Sequence, residues 1–380
     1  MQQIYLDNAA TTRVSPEAAR VALEIMTENY GNPSSSHTMG RAAKAALDNA
    51  REQVAAALGA SDPSEIFFTS GGTESDNWAI LAGAESMRRR GKHVISSLAE
   101  HDAVRKALDE LESRGFEVTR LAPEDDGSIS VRSVAEALRK DTVLVSLMMV
   151  NNETGAITDI AAIAREIKKS GSPALLHTDA IQAFLKVPFS AKTLGADLIS
   201  VSGHKIHAPK GVGALYVRSG LKLAPIIFGG GQERGYRSGT EGLPQICAFG
   251  EAARTGRELM EQSIEHMNSL RQLAIGRLTA ENPGLLVIGG GAPHIISLSL
   301  PGYKSEVLMN FLEAKGIYIS KSSACKRGAR SHVLEAMGLK NEVLDGAIRV
   351  SLSRYTTREE IEIFCDAIKE ARESLFRSPR

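Results

Sequence analysis

Cysteine is scarce in this chain, with three in 380 residues at positions 247, 325 and 365. Thiols so few and so scattered build neither a disulfide framework nor a four-ligand zinc site, and their scarcity points to a reducing compartment. Charge of one sign is not in excess either: 45 Lys and Arg balance 45 Asp and Glu. No global field therefore selects nucleic acid or an anionic membrane. Long hydrophobic runs are missing, and the start, MQQIYLDNAATT, has neither a basic n-region nor an apolar h-region. The expectation is a soluble, cytoplasmic protein with no membrane partner and no direct nucleic-acid partner. What is present is ordinary for a globular enzyme: 43% hydrophobic and 24% charged residues, with room for about two or three domains.

Short β-rich apolar segments alternate with helical patterns from about residue 16 to 255. Strands are predicted over 65–69, 93–97, 143–150, 174–178, 197–201 and 213–217, with amphipathic helices over 40–58, 103–113 and 160–170 between them. Such alternation predicts an α/β domain with a mostly parallel sheet, and the continuous apolar runs suit strands covered on both faces. After the glycine-rich stretch 228–242, one unbroken helix is predicted over 243–280. Beyond it come strands over 294–300, 316–320 and 347–352, a helix around 305–315 and a terminal amphipathic helix. This second block reads as a smaller α+β domain.

Four stretches carry chemistry. FFTSGGTESDNWAI (67–80) is a strand, a Gly-rich turn and a helix start, so Gly72, Thr73 and their neighbours offer backbone N–H groups to an anion. It lacks the Gly-Lys-Ser/Thr of a nucleotide P-loop. HTDAIQA (177–183) places Asp179 at the end of an apolar strand with Gln182 beyond it, where a carboxylate meets a cation or caps a helix. VSGHKIHAPKGVG (201–213) places Ser202, His204 and Lys205 after another strand, and a desolvated lysine there would be a nucleophilic amine. His204 and His207 find no third ligand at metal spacing, so no metal is expected. AEHDAV (99–104) adds His101 at a fourth strand end. A phosphate cradle, a strand-end carboxylate and a lysine are together what pyridoxal 5′-phosphate needs, the carboxylate keeping the ring nitrogen protonated and the lysine holding the aldehyde as a Schiff base.

With YLDNAATT, YGNPSSSH, VNNETG, GGGQERGYRSGTEG and SSAC added in the same order, the chain resembles the cysteine desulfurases over nearly its whole length. These are aminotransferase class V, fold-type I pyridoxal-phosphate enzymes, and the closest likeness is to the branch serving iron–sulfur clusters and tRNA thiolation. The resemblance implies a large cofactor-binding domain over 15–257 and a small domain formed by 1–14 and 258–380. It implies that Lys205 bonds the cofactor aldehyde, Asp179 pairs with the ring nitrogen, Gln182 with the ring hydroxyl, and His101 stacks on the ring and moves protons. Gly72, Thr73, Ser202 and His204 would hold the phosphate, with Thr240 reaching it from the second subunit of a homodimer. Asn152 and Arg349 would fix the carboxylate of L-cysteine, an arginine fork suiting that group. Cys325 would take the sulfur as a persulfide and pass it to an acceptor protein, leaving L-alanine.

Two departures from the family concern the acceptor. The loop carries Lys321 and Ser322 where relatives have Ser and Gly, and its stretch after the cysteine, CKRGARSHV, is slightly shorter. The chain ends FRSPR without the tail by which housekeeping members dock a scaffold. The cations Lys326, Arg327 and Arg330 are expected to lower the thiol pKa by less than a unit if solvent-exposed, and could instead meet an acidic or nucleic-acid acceptor. Cys247 and Cys365, on apolar helical faces, are expected in the core. Selenocysteine lyase or a cysteine C–S lyase would use the same fold and cofactor.

Overall fold

The computed structural model describes residues 3–321 and 330–377; Cys325 lies outside the described residues. Seven strands form the principal sheet: β2 (Ile66–Thr69), β3 (His93–Ser97), β4 (Glu117–Leu121), β5 (Thr142–Met148), β6 (Leu175–Asp179), β7 (Leu198–Ser202) and β8 (Gly213–Val217), numbering from the short β1 (Ile4–Tyr5). Their order is β2-β8-β7-β6-β5-β3-β4. Only β8 runs against its neighbours; the rest of the ladder is parallel. Strands β3, β5, β6 and β7 are buried at every position, as strands with helices on both faces must be. The sequence reading missed β4: EVTRL is polar and half-exposed because it is the edge.

A second sheet, order β12-β13-β10-β9, uses β9 (Leu286–Ile288), β10 (Ile295–Ser299), β12 (Ser320–Lys321) and β13 (Ala347–Ser351), all antiparallel. Its core holds Ile296, Leu298, Ile348, Val350 and Phe364. The single strand predicted over 316–320 is split. Its first half, β11 (Ile317–Tyr318), pairs in parallel with β1, and its second half is β12 on the other sheet.

The helix predicted to run unbroken over 243–280 is also two helices, Leu243–Glu258 and Met260–Glu281, divided at Leu259 (φ −98°, ψ 6°). The break follows from packing. Ala248, Phe249 and Ala252 on the first helix enter the core of the seven-stranded sheet, whereas Met267, Leu270, Ala274 and Leu278 on the second enter the other core. One straight rod cannot serve both. Just before the break, Gly256 lies so close to Leu185 that a Cβ would sit 2.7 Å from its Cδ1.

Cys247 and Cys365 are buried as expected, and burial pushes both thiols up to about 12. Among the described residues no helix is long and apolar enough to cross a membrane.

Candidate active site

Parallel strands deliver their C-terminal ends to one edge of the sheet, and a cavity of about 620 Å³ opens there. Gly72, Thr73, His101, Asn152, Asp179, Gln182, Ser202, His204, Lys205 and Arg349 all line it. The sheet supplies Asp179 from the end of β6 and Ser202 from the end of β7, and the short turn Gly203–Lys205 follows directly. Thr240 is exposed and is not part of the cavity lining.

The anion cradle is the start of the helix Gly72–Ser86. Its N-cap, Gly71, provides no side-chain cap, so the first N–H groups stay available. Gly72 packs closely under Ile181: a Cβ there would lie 2.1 Å from Ile181 Cδ1, so that side chain would have to turn aside. Glu74 in the first turn accepts from Ser70 N and from Arg237 Nε (2.8 Å), which ties the glycine-rich loop to the cradle.

The N-terminal segment crosses the opposite wall. Lys205 Nζ donates to the carbonyls of Ala9 (2.6 Å) and Ala10 (2.8 Å), and Gln182 Nε2 donates to the same Ala9 carbonyl (2.8 Å). Thr12 N donates to His204 O and Ser15 N to His207 O, so the strap fixes the lysine turn. His204 contacts Thr11 Oγ1 through Nδ1 (3.2 Å), and burial beside Lys205 brings it down to about 4, a neutral ring at neutral pH.

His101 caps its own helix, Asp102–Ser113: its Nδ1 accepts from Ala103 N at 3.1 Å. An accepting Nδ1 leaves the neutral ring's proton on Nε2, so the ring enters the cavity as a donor. Asp179 accepts from Ile181 N (2.9 Å); burial raises its pKa, and that hydrogen bond, His101 and Lys205 oppose the rise.

Arg349, on β13, is 1% exposed. Its Nη1 donates to Asn152 O (2.8 Å) and its Nη2 to Asp7 Oδ1 (2.8 Å), while Nε has no partner. Asp7, 342 positions away, was not among the residues singled out from sequence, although it lies inside YLDNAATT. Lys186 was also missed. Its Nζ is buried without a partner, and burial together with Lys205 brings it down to about 7.

The chain re-enters the described structure at Arg330. That guanidinium bonds Asp345 (3.0 Å) and Asn341 (2.7 Å) and also lines the cavity. Ser331 donates to Glu153, and His332 Nε2 contacts Glu100 O at 3.0 Å. Glu153 is 4% exposed, and burial raises it from 4.5 to about 7. Between those values the folded chain keeps a proton that the unfolded chain has lost, so stability falls as pH rises through the window, by up to about 3 kcal/mol. Glu153→Gln is expected to remove that part of the loss, measured as unfolding free energy at about pH 5 and about pH 8. An unchanged difference between the two pH values would contradict it.

These residues fit pyridoxal phosphate. The uncapped helix start suits its phosphate, Asp179 suits a protonated ring nitrogen, and Lys205 suits its aldehyde.

Comparison with known proteins agrees. The model of the family described as aminotransferase class-V matches residues 4–364. A protein named cysteine desulfurase from Trichormus azollae is 42% identical over 380 residues, covering 99% of this chain and 94% of its own. A solved NifS-like protein superposes with a TM-score of 0.93 at 38% identity, covering 98% of this chain and all of its own. The structure of SspA in complex with cysteine gives a TM-score of 0.80 at 33% identity, covering 94% of this chain and 100% of its own.

Proposed function

The chain belongs to the aminotransferase class-V family, and from that premise we propose that it is a cysteine desulfurase. In this reading it converts L-cysteine to L-alanine and carries the released sulfur as a persulfide on Cys325, for iron–sulfur cluster assembly or tRNA thiolation. The observation that carries the reading is the convergence of Lys205, Asp179, His101 and an uncapped helix start on one cavity with Arg349 in its wall.

When bound, pyridoxal phosphate supplies an electron sink for the pair released at the substrate's α-carbon. Gly72, Thr73, Ser202 and His204 hold its phosphate, and Asp179 and Gln182 orient its ring. Lys205 would supply the amine that holds its aldehyde. Arg349 and Asn152 take the substrate carboxylate. The contacts of Arg349 with Asp7 and Asn152 O take one N–H from each of Nη1 and Nη2, and the second N–H on each remains for an incoming carboxylate. His101, with its proton on Nε2, donates that proton in the cavity. The Cys325 thiolate attacks the substrate sulfur, forming S–S as C–S breaks; the bonding pair stays on carbon, which is protonated on the way to alanine.

The enzyme is read as a cytoplasmic homodimer. In this reading Thr240, which is exposed and does not line its own cavity, would reach the phosphate site of the second subunit. The proposed division is a large domain, 15–257, and a small one formed by 1–14 and 258–380; one core cluster draws only on the small domain, whereas the largest also takes in Ala9, Ala292 and Ile295 from it.

The test is direct. Protein mixed with pyridoxal phosphate turns yellow, and added L-cysteine without reductant gives alanine and a protein persulfide in equal amounts over one turnover. A colourless protein, or one that forms no alanine, would overturn the reading.

A further inference from the structure

Between the helix Gly72–Ser86 and the sheet lies a polar layer that the proposed reaction does not use. Ser146 on β5 is the register partner of His177 on β6, and Ser200 on β7 is the partner of Asp179. His177 and Asp179 are two apart on one strand, so both face the same side. The His177 ring is held at both nitrogens, by Ser146 Oγ (2.8 Å) and Ser200 Oγ (3.0 Å), and is fully buried. Burial brings it down to about 3, so it is neutral.

Into this layer the helix places Asp76. The residue is 0% exposed, reaches the cavity wall, and neither carboxyl oxygen has a hydrogen-bond partner. The groups facing it are His177 on β6, whose Nε2 is 3.6 Å from Oδ1, Ser200 on β7, Asp179 at the end of β6, and Glu100 in the turn after β3. None of these brings a positive charge, and two are carboxyls. Glu100 is itself buried, accepts from Ser97 Oγ and Met148 N, and has its second oxygen unpartnered. Asp179 differs because His101 and Lys205 act on it. An ionised Asp76 would be an unpaired buried anion beside a second anion, so the proton stays.

We propose that Asp76 is a positioning residue for the cofactor ring: it remains a carboxylic acid and shares its proton with Asp179. The pair then carries one negative charge, and a protonated pyridine ring draws that charge onto Asp179. This rests on the reading that the cavity takes pyridoxal phosphate.

Two measurements test it. In infrared spectra of the cofactor-free protein at neutral pH, the wild-type minus Asp76→Asn difference shows the carbonyl band of a protonated carboxylic acid, shifted in deuterium oxide. In the loaded protein, Asp76→Ala moves the pH titration of the visible absorbance by about one unit or more, whereas Asp76→Asn, which keeps an N–H donor beside Asp179, restores it to near the wild-type value. Absence of the acid band overturns the proposal even if Asp76→Ala fails to fold. Titrations of the Ala and Asn variants that both coincide with wild type overturn it as well. A wild-type protein that takes up no cofactor removes the underlying reading, and the positioning role with it, while the infrared band still reports on the proton.

Discussion

Lys205→Ala is expected to give a folded, colourless protein that releases alanine from L-cysteine at least about 10³-fold more slowly than wild type, the scale on which a covalent catalyst is lost. The turn that carries the lysine does not depend on its side chain. Gly203 N donates to Val212 O, Thr12 N to His204 O, and His207 N to Thr12 Oγ1. The loss therefore falls on the amine. Without it, the Ala10 carbonyl loses its donor, at a cost of about 1–3 kcal/mol if water does not replace it, while the Ala9 carbonyl keeps Gln182 Nε2. The cradle and Asp179 remain, so cofactor should still bind but should wash out on dialysis. The measurements are visible absorbance before and after dialysis, and alanine formed per chain. A yellow band that survives dialysis in the variant, or alanine at more than a tenth of the wild-type rate, would show that another amine bonds the aldehyde. Lys186, buried nearby and brought down to about 7, is the one to examine then.

Cys325→Ala is expected to behave in the opposite way, keeping its colour and its response to L-cysteine while forming no protein persulfide and passing no sulfur to an acceptor. Trapping the persulfide with an alkylating reagent and counting it by mass checks this. Full sulfide release by the variant without added thiol would sink the persulfide route. The variant also isolates what its neighbours do. A free thiol is only a few per cent ionised at neutral pH, and the sequence offers Lys326, Arg327 and Arg330 as helpers. Of these, Arg330 lies within the described residues, where it bonds Asp345 and Asn341 and lines the cavity.

How much of this was legible in the sequence depended on what each feature rests upon. Strands β3 and β8 match the predicted 93–97 and 213–217 to the residue, because buried apolar runs bounded by polar or glycine residues say both where they start and what covers them. The edge strand Glu117–Leu121 carries no such signal, since one side meets solvent. The break at Leu259 is invisible locally, because it arises from two cores lying in different directions. The same distinction holds at the site. Lys205, Asp179, His101, Thr73 and Ser202 follow strand ends or helix starts, and the structure brings them to one cavity. Asp7 opposite Arg349, Asp76 over His177 and Glu153 with Ser331 were not legible. Their chemistry comes from depth and from partners up to 342 positions away, and nothing near them in sequence records either.

The strap across the lysine turn has a consequence for the order in which the molecule can be made. Residues 4–12 leave the ribosome well before their partners, since β1 needs Ile317 and Tyr318 for pairing, and Asp7 needs Ser351 and Arg349. At about 5–20 residues per second, the segment waits on the order of tens of seconds before those positions exist. All seven strands of the principal sheet are synthesised by Val217. The strap that presents the Ala9 and Ala10 carbonyls to Lys205 gains its last anchor with β13, where Ala9 N donates to Ser351 Oγ. A nascent chain stopped short of Ser351 would thus carry its cofactor lysine on a formed sheet with that wall of the site still open. Completion of the wall around the reactive amine waits on a strand made more than 130 residues after the sheet that carries the lysine.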